Sequence, residues 1–152
     1  MVKVGDEARY ASAVDALLHY SDKVAQVRMY SFVQSVAVLG ALFFLASEWA
    51  NWSGAILFTG GLIGLVGVAI MNALGHNYYR HHSVILKSVL SMEHQMEQAG
   101  ANPETLVWMQ YNAPRKGLSL FNVLVYHHAI YLLSYLVFAL VALFGAGLLL
   151  AS

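Results

Sequence analysis

Residues 30–49, YSFVQSVAVLGALFFLASEW, and residues 52–72, WSGAILFTGGLIGLVGVAIMN, decide the fold of this chain. Together they hold one charged side chain, Glu48, at the far edge of the first stretch. A bilayer's hydrocarbon core takes roughly 20 consecutive apolar residues per helical crossing, and each stretch meets that length. Inside lipid every backbone amide needs a partner within its own segment, so such runs read as helices. A third uncharged stretch, residues 123–151, has the same character. The expected fold is all-α: an integral membrane protein with three transmembrane helices and a cytoplasmic helical layer.

Composition agrees. Of 152 residues, 59% are hydrophobic and 11% charged, against about 25% charged in an ordinary soluble domain. Mean hydropathy is +0.61. The formal net charge is zero, so nothing calls for a nucleic-acid partner. The chain has no cysteine, which excludes disulfides, thiolate metal sites and cysteine nucleophiles. Its first 30 residues are mixed and charged, without the apolar core of a cleavable signal peptide, so the first span is expected to act as its own insertion signal.

The basic residues give the orientation. Lys3, Arg9, Lys23 and Arg28 precede the first span, Arg80, Lys87, Arg115 and Lys116 lie between the second and third, and the link around residues 48–53 has none. Basic residues stay cytoplasmic, which places the N-terminus and the central segment inside and the C-terminus outside, in the inner (plasma) membrane. Trp49 and Trp52 flank the outer link, where an indole buries its ring and keeps its N–H wet.

The chain then divides as one membrane domain, 1–152: an amphipathic helix at 6–29, a first span at 30–49, a second at 52–74, a cytoplasmic helical segment at 75–118 and a third span at 119–151. In the first helix Tyr10, Val14, Leu17, Leu18, Val24 and Arg28 follow a 3.6-residue period, with Asp15, His19, Asp22 and Gln26 on other faces. Its apolar side is expected to pack on other cytoplasmic helices rather than lie on lipid, because basic residues do not dominate its polar face. No breaker separates it from the first span. Nor does a stop follow Asn72, so the second span is expected to run on to about Gln98, with Tyr78, His82, Ile85, Val89, Met92 and Met96 in one stripe. Gly100 suits a helix end. Asn102-Pro103-Glu104 suits the start of a short helix carrying Leu106, Val107, Trp108 and Tyr111, before a loop at 112–117. Ser119 is a candidate cap for the last helix.

Candidate functional residues fall into three groups. Gly60 and Gly64 have the G-x-x-x-G spacing that lets helix backbones approach, with Gly67 further along the same span and Gly40 on the first span as the opposing small residue. Ser31, Gln34 and Ser35, with Ser134 in the third span, are polar positions in lipid, suited to interhelical hydrogen bonding or to lining a pore. The histidines are the third group: His76, His81 and His82 follow the second span, and His127 and His128 open the third. Histidine ligates metals and haem, and H-x-x-x-x-H-H strings occur in membrane di-iron desaturases. Yet a chelating pair on one helix wants a spacing of three or four, which no histidine pair here has. A metal would have to bridge helices, through His81 or His82 with His127 or His128. The expectation is no metal and no cofactor. Glu93-His94-x-x-Glu97 reads as a solvated helix face, because a ferritin-like site repeats its carboxylate–histidine pattern on several helices.

An amphipathic N-terminal helix, a tight two-span hairpin and a helix opening in Asn77-Tyr78-Tyr79-Arg80-His81-His82 and continuing through Met92-Glu93 together resemble the SLATT group of small bacterial membrane proteins, over residues 20–98. The third span departs from that group's two-span core. The resemblance implies a membrane effector, pore-forming in bacterial conflict and immunity. The leading function is therefore a homo-oligomer in the lipid bilayer that conducts ions or perturbs it under control of its cytoplasmic layer, since three helices enclose no water path alone. The alternatives are a non-catalytic accessory subunit of a larger membrane complex and a histidine-liganded metal or haem enzyme; the residues lean away from an enzyme.

Overall fold

Neither proline of the chain falls before residue 103, so nothing in the first hundred residues both removes a helical donor and blocks the preceding turn. Two very long helices result. The computed structural model describes residues 4–100 and 120–151, with side chains over 7–100 and 128–151. Helix α1 is Val4–Glu48, α2 is Ser53–Gln98 and α3 is Leu120–Ala151. The described residues are all-helical, and all three helices are long and apolar enough to cross a membrane. As the sequence suggests, the amphipathic segment and the first apolar run are one element, and so are the second run and the segment to Gln98.

Between α1 and α2 the chain reverses through a 3-10 turn, Ala50–Trp52. The Trp49 N–H reaches the Leu45 carbonyl at 3.0 Å, and the Trp52 N–H reaches the Trp49 carbonyl at 2.8 Å. Both indoles are exposed. At its other end α2 closes on Gly100, whose φ of 89° only glycine adopts without strain. The anticipated short helix from Asn102-Pro103-Glu104, the loop at 112–117, the Ser119 cap and the His127 side chain lie outside the described residues.

Within the chain two compact units can be distinguished. One comprises residues 1–25 and 76–123, the other residues 26–75 and 124–152. The boundary falls inside continuous helices, and in α1 and α2 it lies where apolar composition gives way to charged.

In the first, more polar unit α1 packs on α2. Leu17 and Val89 are fully buried and Val24 nearly so. The α2 stripe from Tyr78 to Met96 is at least half-buried throughout, while Arg80, Lys87, Ser91, His94 and Gln98 are exposed. The α1 stripe needs one correction. Leu18 is 48% exposed, because one residue beyond Leu17 turns about 100° around the helix and leaves the packed face.

The second unit is built on a repeated spacing. Among the buried positions, Gly54, Leu57, Gly61, Gly64 and Val68 form one row on α2 and Tyr131, Ser134, Phe138, Val141 and Gly145 one row on α3. Alternating steps of three and four keep one face turned toward a partner helix. Leu42 of α1 joins Leu57, Val68, Tyr131, Phe138 and Val141 in the core.

Candidate functional site

Glycine positions decide how closely these helices approach. A Cβ built on Gly61 would lie 2.7 Å from the Ala142 amide nitrogen and 2.8 Å from its Cβ. One on Gly64 would overlap the Phe138 ring, and one on Gly60 would overlap Leu42. The G-x-x-x-G pair is therefore not a single seam: Gly60 meets α1 and Gly64 meets α3. Four residues rotate a helix by about 40° beyond a full turn, enough to pass from one neighbour to the next. Gly40 does not oppose either of them, because neither Gly40 nor Gly67 has any atom within 4 Å of its Cβ direction. Gly54 and Gly145, which spacing alone did not single out, face each other, with a Gly54 Cβ 3.2 Å from the Gly145 carbonyl oxygen.

This close approach brings the polar positions together. Ser31, Ser35 and Ser134 are buried, at 2%, 8% and 7% exposure. The Ser35 hydroxyl donates to the Ser31 carbonyl at 2.7 Å. Its oxygen lies 3.3 Å from Ser134 Oγ, linking α1 to α3. Ser31 Oγ has no hydrogen-bond partner among the described residues, and neither does the buried Tyr131 hydroxyl. Next to these serines is a cleft of about 150 Å³, lined by Ser31, Gln34, Ser35, Gly64, Gly67 and Phe138. Gln34 is exposed at its edge. Of the three residues the sequence offered for a pore lining, two are thus inside the unit and one is on its outer surface.

Several of the described histidines contact neighbouring side chains. His81 stacks on Tyr20, with ring centroids 5.3 Å apart, and His82 stacks on Tyr79 at 6.4 Å. His128 Nδ1 lies 3.2 Å from the Asn72 side-chain oxygen, a bond between α2 and α3 for which Nδ1 carries the proton. Among the described residues no group of three or more histidine, aspartate or glutamate side chains is arranged to hold a metal ion.

Sequence reasoning missed one residue of the polar unit. Glu93, assigned to a solvated face, is fully buried and accepts a 2.6 Å hydrogen bond from the Tyr10 hydroxyl. Its neighbours do lie on a solvated face, with the exposed His94 and Glu97 3.4 Å apart. The signal was present: position 93 is four beyond the buried Val89, on the packed stripe. Burial, then the bond to Glu93 and then that carboxylate's charge push the Tyr10 phenol above its usual range, so it stays a donor.

No protein-family model matches the chain, and no curated protein or solved structure is significantly similar to it.

Proposed function

We propose that the chain is an integral membrane protein that self-associates, and that its copies together conduct ions or perturb the bilayer under control of the polar unit. The observation that carries this reading is the Gln34 carboxamide. It is exposed on the outer surface of the apolar unit, a surface on which Phe32, Val33, Val36, Phe44 and Ile63 are all more than half exposed. Outward phenylalanine and leucine over inward serine is the reverse of a water-facing protein and fits hydrocarbon as the surrounding medium. Lipid tails offer Gln34 no hydrogen bond, whereas a neighbouring protein surface does.

The charge distribution supports a cytoplasmic N-terminus and polar unit, with the turn at Trp49 and Trp52 outside. A path for ions has to form between copies, since within one chain the glycine seams are filled by Phe138, Leu42 and Ala142. The SLATT-like arrangement points the same way, toward an effector of bacterial type. Detergent-corrected light scattering with ion flux from liposomes tests the reading. A defined oligomer that releases ions supports it; a monomer, or an oligomer that leaves vesicles tight, refutes conduction.

A second reading, a non-catalytic accessory subunit of a larger membrane complex, draws on the burial of Ser31 and Ser35. Their inward position leaves only Gln34 of the three as a polar group on the outer surface. Co-purification of stoichiometric partners with a tight, non-conducting chain would select it.

A further inference from the structure

We propose that the cleft at Ser31, Gln34 and Gly67 is the contact through which one copy of this chain binds another, with Gln34 of each copy hydrogen-bonding across it. This names the surface for the self-association proposed above and rests on that reading. Four observations converge on one place. The Gln34 carboxamide is exposed on an apolar helix face. Ser31 Oγ, on a residue 2% exposed at the wall of the same cleft, has no partner. Gly67, also on the wall, meets nothing within 4 Å, although a Cβ on Gly60, Gly61, Gly64 or Gly75 would clash outright with a neighbour and one on Gly54 nearly so. The cleft itself measures about 150 Å³, a volume that in an apolar interior takes a benzene-sized guest and so admits a carboxamide side chain.

A second copy is the occupant that fits this chemistry. A carboxamide carries two donors and an acceptor, so two of them satisfy each other reciprocally. Copies that insert by the same charge rule place residue 34 at one depth, and a symmetry axis along the membrane normal brings the two carboxamides together. The absence of a side chain at exposed Gly67 then lets the second backbone come close. An acyl chain would fill the volume and leave both Gln34 and Ser31 unsatisfied.

The full chain, reconstituted in phosphatidylcholine vesicles, tests the contact in two ways. Energy transfer between labelled copies, measured as protein is diluted in lipid, compares the wild type with Gln34→Leu, Gln34→Asn, Gly67→Leu and the control Gly40→Leu. All three sites are open within the chain, so the fold tolerates the four variants. Gln34→Leu and Gly67→Leu should weaken association about threefold to tenfold, the equivalent of one interhelical hydrogen bond, with Gln34→Asn restoring part of it and Gly40→Leu matching the wild type. Because the chain has no cysteine, oxidation of Gln34→Cys reports proximity directly: it should give a crosslinked dimer, and Phe44→Cys should not. Wild-type association left unchanged by both Gln34→Leu and Gly67→Leu, with no crosslink at 34, overturns the contact, assigns the cleft to lipid or another subunit, and leaves self-association standing. A wild type that stays monomeric at every dilution overturns both.

Discussion

Gly61→Ala adds one methyl group and should cost more than its size suggests. The new Cβ would lie 2.7 Å from the Ala142 nitrogen, 2.8 Å from its Cβ and 2.9 Å from its Cα. Two of those atoms are backbone, so no rotamer change relieves the overlap. Restoring a contact of about 3.5 Å requires α2 and α3 to separate by about 0.8 Å. A gap of that order forfeits roughly a quarter to a half of each dispersion contact it opens, and the seam it opens includes the fully buried Phe138. Overpacking of this kind costs about 1–3 kcal/mol. Alanine returns about 1 kcal/mol in helix propensity. Gly40→Ala isolates that propensity gain, because nothing lies within 4 Å of its Cβ direction. The difference between the two variants, about 1–3 kcal/mol in favour of Gly40→Ala, is the steric term alone. Equilibrium unfolding in mixed micelles, titrated with a denaturing detergent, measures it. Equal stability of the two variants would show that α2 and α3 do not meet at Gly61 and Ala142.

Three further outcomes are expected. Tyr10→Phe should destabilise the polar unit by about 1–2 kcal/mol through loss of the bond to buried Glu93. Because the folded state raises the Tyr10 pKa above the unfolded value of about 10, its contribution is intact below pH 10 and is lost as pH rises beyond it; Tyr10→Phe should flatten that alkaline slope in pH-dependent unfolding monitored by circular dichroism. Ser35→Ala should cost only about 0.6 kcal/mol in the same micelle titration, the usual worth of an interhelical bond in lipid, and Ser134→Ala should add little once Ser35 is gone. Reporter fusions should place Lys116 in the cytoplasm and the C-terminus outside; the reverse pattern would remove the charge-based orientation.

How much of this was legible in the sequence depends on what fixes each feature. The long helices were legible because apolar length and the absence of proline act locally: α1 through Glu48 and α2 through Gln98 follow from composition alone. Gly100 was legible for the same reason, since a positive φ after the last turn is a one-residue requirement. Partner choice was not. Gly60 and Gly64 share a motif, yet whether both face one helix depends on where α3 stands, and nothing in residues 52–72 encodes that. The α3 face at Tyr131, Ser134, Phe138, Val141 and Gly145 carries the matching three-four spacing, but it is submerged in a stretch that is apolar all round. Periodicity marks a buried face only against a contrasting exposed one.

That loss of contrast also explains why the two units differ in what their polar residues reveal. In the polar unit, Glu93 is conspicuous once its position four beyond Val89 is noticed, because burying a carboxyl needs a specific donor, and Tyr10 supplies it. In the apolar unit the serines give the opposite signal. Their hydroxyls turn inward because the outer surface offers them nothing, and Ser35 closes on the Ser31 carbonyl and Ser134. Gln34 is the exception: it lines the same cleft as Ser31 and Ser35, yet it is exposed where they are buried. An amide exposed on an apolar helix face is the group that the proposed contact between copies would satisfy, which is why Gln34→Leu and Gln34→Cys are the variants on which that proposal stands or falls.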